Sequence, residues 1–371
     1  MLMDSSNIKI IIAGGGTGGH IFPAIAIANE LKDKLSIKQE NILFVGSSNR
    51  MEMKKVPEAG YNIKGLWIEG FNRKSKIKNI KTICKIIFSL IHSLIIIIKF
   101  NPKIVIGVGG YSSGPILFVS SLFCKKCYIQ EQNSYAGITN KLLSKYVRKI
   151  FVAYPNMDKF FNANKILLTG NPIRKDIIEN NINREEALKY FGLLDNKKTI
   201  LVLGGSLGSR TINNVFHKHI NSFINQDIQV LWQTGKTFKY DYKNDVNRKG
   251  IVITEFIDRM DYAYNIADLV ISRAGAIAIS ELAINAKPSI LVPSPNVTED
   301  HQTVNANTLV AKRAAIMIGE NEVGRLIIKK ALDIISDDDL MKNLSENIKK
   351  FAFPNATQNI VEYIINDING K

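Results

Sequence analysis

The pattern that most constrains this chain is the succession of short, continuously apolar runs, each ending in a glycine or polar turn and leading into a helical stretch. In the first half such runs lie at Ile8–Ala13, Asn41–Val45, Ile104–Val108, Cys127–Gln130, Ile150–Ala153 and Ile166–Thr169. In the second half they lie at Thr199–Leu203, Gln229–Gln233, Ile251–Glu255, Leu269–Ser272, Ser289–Val292 and Ala315–Ile318. A strand that is apolar without alternation is covered on both faces, and a helix between successive strands makes them parallel. Two such sets predict an α/β protein with two doubly wound parallel-sheet domains, at residues 1–170 and 171–345. The stretch Gly170–Ile177, with Pro172, reads as the linker. Beyond Ser336 the chain reads as helices only, and 346–371 must pack on existing surface. Ligands of open parallel sheets bind beyond the carboxyl ends of the strands. Glycine turns stand there repeatedly, at Gly14–Gly19, Gly107–Gly114, Gly204–Gly208 and Gly275.

The 371 residues carry a net charge of +16, which favours an anionic partner. Lys, Asn and Ile are spread along the whole chain, so much of that charge reads as solvated surface. No basic stretch interleaved with aromatics points to nucleic acid. Cys124 and Cys127 form a lone C-x-x-C, and with Cys84 they read as incidental thiols of a reducing compartment. The N-terminus lacks a basic-then-apolar signal pattern, so a cytoplasmic protein is expected. The run Ile86–Ile98 is shorter than the roughly 18–20 apolar residues a bilayer crossing needs. The stretch Lys74–Phe100 is basic first and apolar afterwards. It predicts contact of Arg73–Leu90 with an anionic membrane surface, through Arg73, Lys74, Lys76, Lys78, Lys81 and Lys85, and burial of Leu94–Ile98.

Gly14, Gly16 and Gly19 match G-x-G-x-x-G, but the next strand ends "FVGSSN" (Phe44–Asn49) with no acid to hold a ribose. A nicotinamide cofactor is therefore not expected. His20 follows the glycines at a helix start, where the dipole disfavours the imidazolium. It reads equally as a base or as a capping and packing residue. "GVGGYSSGP" (Gly107–Pro115) is a second glycine turn in which Tyr111 suits stacking or hydrogen bonding, or else packs on the surface of a plain tight turn. In "QEQNSYAGITNK", Glu131, Gln132 and Asn133 suit sugar contacts, while Glu131 suits a buried structural carboxylate nearly as well. Ser206 in "LGGSLGS" and the N–H groups around it suit a phosphate. In "SRAGAIAISELAI", Arg273 offers a charge and Glu281 a carboxylate for a ribose, or merely a helix-end charge. Asp300, His301 and Gln302 precede another helix, where N-capping alone accounts for the Asp. Asp337–Asp339 reads as an N-cap run and not a metal–diphosphate site. His217 and His219, two apart on a helix, cannot share a metal.

The ordered segments "GGGTGGHIFPA", "GVGGYSSGP", "EQNSYAGITNK", "TGNPIR", "GGSLGS", "EFIDRMDYAY", "SRAGAIAISEL" and "DHQTVNA" run across roughly residues 8–310. With them the chain resembles the MurG family. The resemblance implies a GT-B fold of two Rossmann-like domains facing a cleft, and no cofactor or metal. It implies an inverting enzyme at the inner face of the cytoplasmic membrane, one that moves N-acetylglucosamine from UDP-N-acetylglucosamine to undecaprenyl-diphospho-muramoylpentapeptide. Residue by residue it implies His20 as base or orienting group. Thr17, Gly18, Gly19, Asn133 and Gln302 fall to the sugar, and Arg174 and Ser206 to the diphosphate. Ile257 falls to the uracil. Ala276, Ile277, Ala278, Ile279, Ser280 and Glu281 fall to diphosphate and ribose, with Glu281 on the ribose. The family often has His where Gln130 stands and Thr where Ala278 stands. Two rival readings are a UDP-N-acetylglucosamine 2-epimerase-like enzyme or glycolipid synthase on another acceptor, and a non-enzymatic basic protein on membrane or RNA.

Overall fold

The computed structural model describes residues 8–70, 76–179, 182–205, 207–238, 249–295, 297 and 300–370. The chain divides into two compact units. One runs to Arg174 and resumes at Phe353, and the other is Lys175–Ala352.

The first unit holds β1 (Ile10–Ala13), β2 (Ile42–Ser47), β3 (Asn62–Leu66), β4 (Ile104–Gly107), β5 (Lys126–Glu131), β6 (Lys149–Val152) and β7 (Ile166–Leu168). They form one sheet in the order β3-β2-β1-β4-β5-β6-β7, parallel throughout, with Ile10 in register with both Ile42 and Ile104. The second unit holds β8 (Thr199–Leu203), β9 (Gln229–Gln233), β10 (Ile251–Thr254), β11 (Leu269–Ser272), β12 (Ser289–Leu291) and β13 (Ile316–Met317). Their order is β10-β9-β8-β11-β12-β13, again parallel. The expectation of two doubly wound sheets is borne out strand by strand. The one strand not anticipated is β3. It pairs on one side only and is half-exposed, so "NIKGL" lacks the unbroken apolar run that marks its neighbours.

Both faces of the first sheet are covered. Ile10, Ile12, Ile106, Tyr128 and Phe151 lie in one layer, and Ile11, Ala13, Val105 and Ile129 in the other. The chain's last helix, Ala356–Ile368, buries Ile360, Val361, Ile364 and Ile368 in the first of these layers. Its Asp367 carboxylate accepts from the Tyr128 hydroxyl at 2.5 Å and from Arg148 at 2.7 Å. The preceding helix, Asp338–Lys349, belongs to the second unit and is capped by Asp337, whose side chain accepts from the Leu340 N–H at 2.9 Å. The Asp337–Asp339 run is thus the expected N-cap.

In each sheet the strand order reverses beside the first strand, between β1 and β4 and between β8 and β11. These are the switch points where an open parallel sheet presents a crevice. The glycine turns after β1 and β4 meet at one, and those after β8 and β11 lie at the other.

The helix Lys76–Phe100 has its polarity inverted. Thr82, Lys85, Ser89 and Ser93 are buried, while Ile80, Ile83, Ile87, Phe88, Ile91, Ile95 and Ile98 are exposed. Leu94–Ile98 therefore departs from its expected burial. Ile96 and Ile97 are in the core, but Ile95 and Ile98 are 45% and 62% exposed, because only one side of the helix is packed. Lys85 departs too. It pairs with Glu69 at 2.6 Å and lies over the Trp67 ring, which directs it into the protein. Arg73 and Lys74, and the side chains of Lys76 and Lys78, lie outside the described residues. The segment Ile80–Phe100, with a mean hydropathy of 2.2, is long and apolar enough by length and composition to cross a membrane, contrary to the expectation from Ile86–Ile98 alone.

Candidate active site

At the first switch point β1 ends at Ala13, and the Gly14 N–H still donates to the Val45 carbonyl at 3.0 Å. Gly16, at φ +90°, turns the chain. The helix Gly18–Leu35 starts behind N-cap Thr17, whose side chain makes no cap bond. The exposed Thr17, with Gly18, Gly19 and His20, thus rims an uncapped helix N-terminus, a natural anion site. The loop is held from behind by Glu52, which is fully buried. Its carboxylate accepts from the Gly16 N–H and the Ser47 N–H, both at 2.9 Å. The turn after β4 packs directly on the first. A Cβ on Gly110 would sit 2.6 Å from the Gly15 carbonyl oxygen, and one on Gly109 would sit 2.8 Å from Cε1 of His20. The second turn therefore forms the wall against which His20 stands.

The other support of His20 comes from the carboxyl end of β5. His20 Nδ1 lies 2.8 Å from Oε1 of Gln132. Gln132 Nε2 donates to the Val108 carbonyl at 2.8 Å, to the Gln130 carbonyl at 3.2 Å and to Gln130 Oε1. Gln130 Nε2 donates to Asn171 Oδ1 at 3.0 Å, and Asn171 Nδ2 returns to the Gln132 carbonyl at 3.1 Å. All three amide residues are buried. Glu131 is buried as well. It accepts from the Asn133 and Gly137 N–H groups at 3.1 and 3.0 Å and from Asn140 Nδ2 at 2.8 Å. Glu131 and Gln132 are thus structural, against their reading as sugar contacts, and the half-buried Asn133 is the member of the trio on the open side. Arg174 lies over the Phe22 ring, centroid distance 5.8 Å, near the start of the same helix.

In the second unit the turn after β8 carries Gly205 and Gly208 at positive φ. Ser206 lies outside the described residues. Ser209 caps the helix Arg210–His219 and also accepts from Arg273 at 2.7 Å. Arg273 forks onto Glu320, which also accepts from Thr211 at 2.5 Å. Burial pushes the Glu320 carboxyl up, but the bonds from Arg273 and Thr211 win and hold it below the usual glutamate range. Arg273 is therefore spent bracing loops. The helix Ala276–Ile284 begins at N-cap Gly275 with no side-chain cap. Ala276 and Ile279 are buried, Ile277 and Ala278 are half-buried, and Ser280 donates back to the Ala276 carbonyl at 3.0 Å. Glu281 accepts from the buried Tyr264 hydroxyl at 2.9 Å. The Ile257 N–H donates to Gln233 Oε1 at 3.2 Å, and Gln302 Oε1 accepts from the Ser294 N–H at 2.8 Å. Among the described residues no three His, Cys, Asp or Glu side chains gather as a metal site.

Residues 10–152 match the glycosyltransferase family 28 N-terminal domain and residues 199–360 its C-terminal domain. The chain is 51% identical over 96% of its length to a Flavobacterium psychrophilum protein, of which 97% is covered. It is 50% identical over 98% of its length to one from Parabacteroides distasonis, of which 99% is covered. Both relatives are named UDP-N-acetylglucosamine--N-acetylmuramyl-(pentapeptide) pyrophosphoryl-undecaprenol N-acetylglucosamine transferase. The crystal structure of Acinetobacter baumannii MurG superposes with a TM-score of 0.74 at 25% identity, over 96% of this chain and 99% of that one.

This chain belongs to the MurG family.

UDP-N-acetylglucosamine 2-epimerase from Neisseria meningitidis, 13% identical with a TM-score of 0.68, shares the fold over 96% of this chain and all of that one. Within the MurG family frame the departure at Gln130 has a physical account. A neutral imidazole carries one donor and one acceptor, and the Gln130 amide performs both tasks, accepting from Gln132 and donating to Asn171. Four supports of the site, Glu52, Gly109, Gln132 and Asn171, have no supporting role in the motif reading, although the last three lie inside quoted motifs. Gln132 was visible inside "EQN" but with the wrong task, and Glu52 carries no local signal because its partners come from another loop.

Proposed function

We propose that this chain transfers N-acetylglucosamine from UDP-N-acetylglucosamine to an undecaprenyl-diphospho-muramoylpentapeptide acceptor, with inversion and without a metal ion or cofactor. The observation that carries the reading is His20 itself, an imidazole held by Gly109 and Gln132 at the rim of an uncapped helix N-terminus. The helix end favours a neutral ring, which is what a base requires. The acceptor hydroxyl gives its proton to His20 as its oxygen attacks the anomeric carbon. The bond from that carbon to the diphosphate breaks, and UDP departs with the electron pair. Thr17, Gly18, Gly19, Asn133 and Gln302 position the sugar, and Ile257 takes the uracil through its backbone. Arg174, Ser206 and the N-terminus of the helix Ala276–Ile284 stabilise the diphosphate, in place of a cation. Glu281, aimed by Tyr264, takes the ribose hydroxyls.

The acceptor's polyprenyl tail requires a bilayer, and the inverted helix Lys76–Phe100 supports a docking face at the cytoplasmic membrane surface. A water-facing stripe of seven large apolar side chains on one helix is costly in solution and favourable at a lipid interface. The helix packed beside it, Ser113–Leu122, ends on exposed Leu122 and Phe123. The deciding experiment is transfer of labelled N-acetylglucosamine to a short-chain acceptor lipid in excess EDTA. Transfer is expected, and His20→Ala lowers it by about 10²–10⁴-fold. Absence of transfer, or wild-type turnover by His20→Ala, refutes the reading.

A further inference from the structure

We infer that Gln132 is a positioning residue that fixes the tautomer of His20. The inference rests on the proposed reading of His20 as the base and deepens it. The argument is one of donors and acceptors. The side-chain amide of Gln132 has one end near His20 Nδ1 and the other end facing three oxygens, the carbonyls of Val108 and Gln130 and Oε1 of Gln130. Backbone carbonyls only accept. An amide oxygen placed there would meet three oxygens with no hydrogen among them, so the NH₂ group occupies that end. Oε1 is thereby turned to His20.

An amide oxygen also only accepts, so the 2.8 Å contact to Nδ1 requires the hydrogen to be on Nδ1. A neutral imidazole has one such hydrogen. Nε2 is then the nitrogen that carries the lone pair, the form able to take a proton from an acceptor hydroxyl. The opposite tautomer, which imidazole side chains favour in water, would set the Nδ1 lone pair against Oε1.

The relay behind Gln132 keeps that amide from turning over. Gln130 offers it Oε1 because its own Nε2 is engaged with Asn171 Oδ1, and Asn171 is oriented in turn by donating to the Gln132 carbonyl. The chain of amides ends on main-chain carbonyls at both ends, Val108 and Gln132, and these cannot reverse. All three amides are buried, so water does not compete for their bonds. Gly109 completes the fixation. Its missing side chain lets the imidazole ring stand against the backbone, where a Cβ would sit 3.0 Å from Nδ1.

The test is nitrogen NMR of the full chain labelled with ¹⁵N-histidine, in which the Nδ1 and Nε2 shifts of neutral rings separate the two tautomers. His20 is assigned from the signal missing in His20→Ala. In the wild-type protein His20 is expected as the Nδ1–H form. In Gln132→Met, which keeps the length of the side chain and removes the acceptor, the Nε2–H form is expected to become the major one. Turnover is expected to fall by about 10²-fold in that variant, the scale of losing an orienting partner, with KM for UDP-N-acetylglucosamine unchanged. An Nε2–H form in the wild type overturns the inference without any variant. An unchanged tautomer in Gln132→Met overturns it as well. Failure of the base reading shows separately, as wild-type turnover by His20→Ala, and leaves the two NMR results standing or falling by themselves.

Discussion

Replacing Glu52 by Gln tests whether a buried carboxylate holds the first glycine turn. The carboxylate is fully buried, and its two oxygens accept from the N–H groups of Gly16 and Ser47, both at 2.9 Å. A Cβ on Gly15 or on Gly46 would collide with the Glu52 side chain, so both segments are seated directly on it. Gln has the same shape but one acceptor oxygen. One N–H keeps a partner, in a neutral bond in place of a charge-assisted one, and the other faces an NH₂ group. Hydrogen bonds to charged groups contribute about 1.5–3 kcal/mol each, and a buried donor left unsatisfied costs about 1–3 kcal/mol. Relief of the carboxylate's desolvation offsets part of this, which leaves about 2–3 kcal/mol of destabilisation. For a unit of this size that corresponds to a fall in melting temperature of roughly 4–12 °C. The two tryptophans permit a clean assay, because Trp67 lies in the first unit and Trp232 in the second. In a Trp232→Phe background, Trp67 fluorescence follows the unit that contains Glu52, and its urea midpoint is expected to drop. A change below about 1 kcal/mol, the scale of one ordinary neutral hydrogen bond, would show that the turn does not depend on the carboxylate.

Three further outcomes are expected. Glu281→Ala weakens UDP binding by about 1.5–3 kcal/mol by calorimetry, and Tyr264→Phe weakens it less, because it frees the carboxylate without removing it; equal UDP affinity in Glu281→Ala would reduce Glu281 to a helix charge. Changing Ile83, Ile87 and Ile91 together to Gln lowers sedimentation with anionic vesicles by about 10²-fold, at roughly 1 kcal/mol for each partly inserted side chain, with the folded circular-dichroism spectrum retained; unaltered sedimentation would place the docking face elsewhere. Burial pushes the Lys287 amine down to about 8, outweighing the charge of Asp268, so between that value and its ordinary 10.5 the unfolded chain holds a proton the folded one has released. Stability should therefore gain from this group as pH rises from about 8 to 10.5, and wild-type stability taken relative to Lys287→Met in urea titrations should rise over that window; a flat relative stability would contradict the assignment.

Much of this protein is written locally. A run such as Thr199–Leu203 can be little other than a doubly covered strand, and a glycine after it little other than a turn, since both follow from side chains within a few residues. The strands, the parallel class, the N-cap at Asp337 and the family motifs were legible for that reason. Residues whose role depends on distant partners were not. The peripheral β3 has no unbroken apolar run, because Asn62 and Lys64 are exposed and of its five residues only Leu66 is buried. In the helix Lys76–Phe100 the sequence announced an apolar half, but which side faces out depends on what packs against it, and that placed Lys85 inside and Ile95 and Ile98 outside. Glu131 and Gln132 look like ligands in a polar cluster and proved to be supports, because the N–H groups, carbonyls and ring they serve are brought to them by the fold. The orientation of the Gln132 amide is set by Val108, 24 residues away, and its effect is felt by His20, 112 residues away. A hydrogen bond of that kind has no period along the chain, so only the tertiary structure decides it.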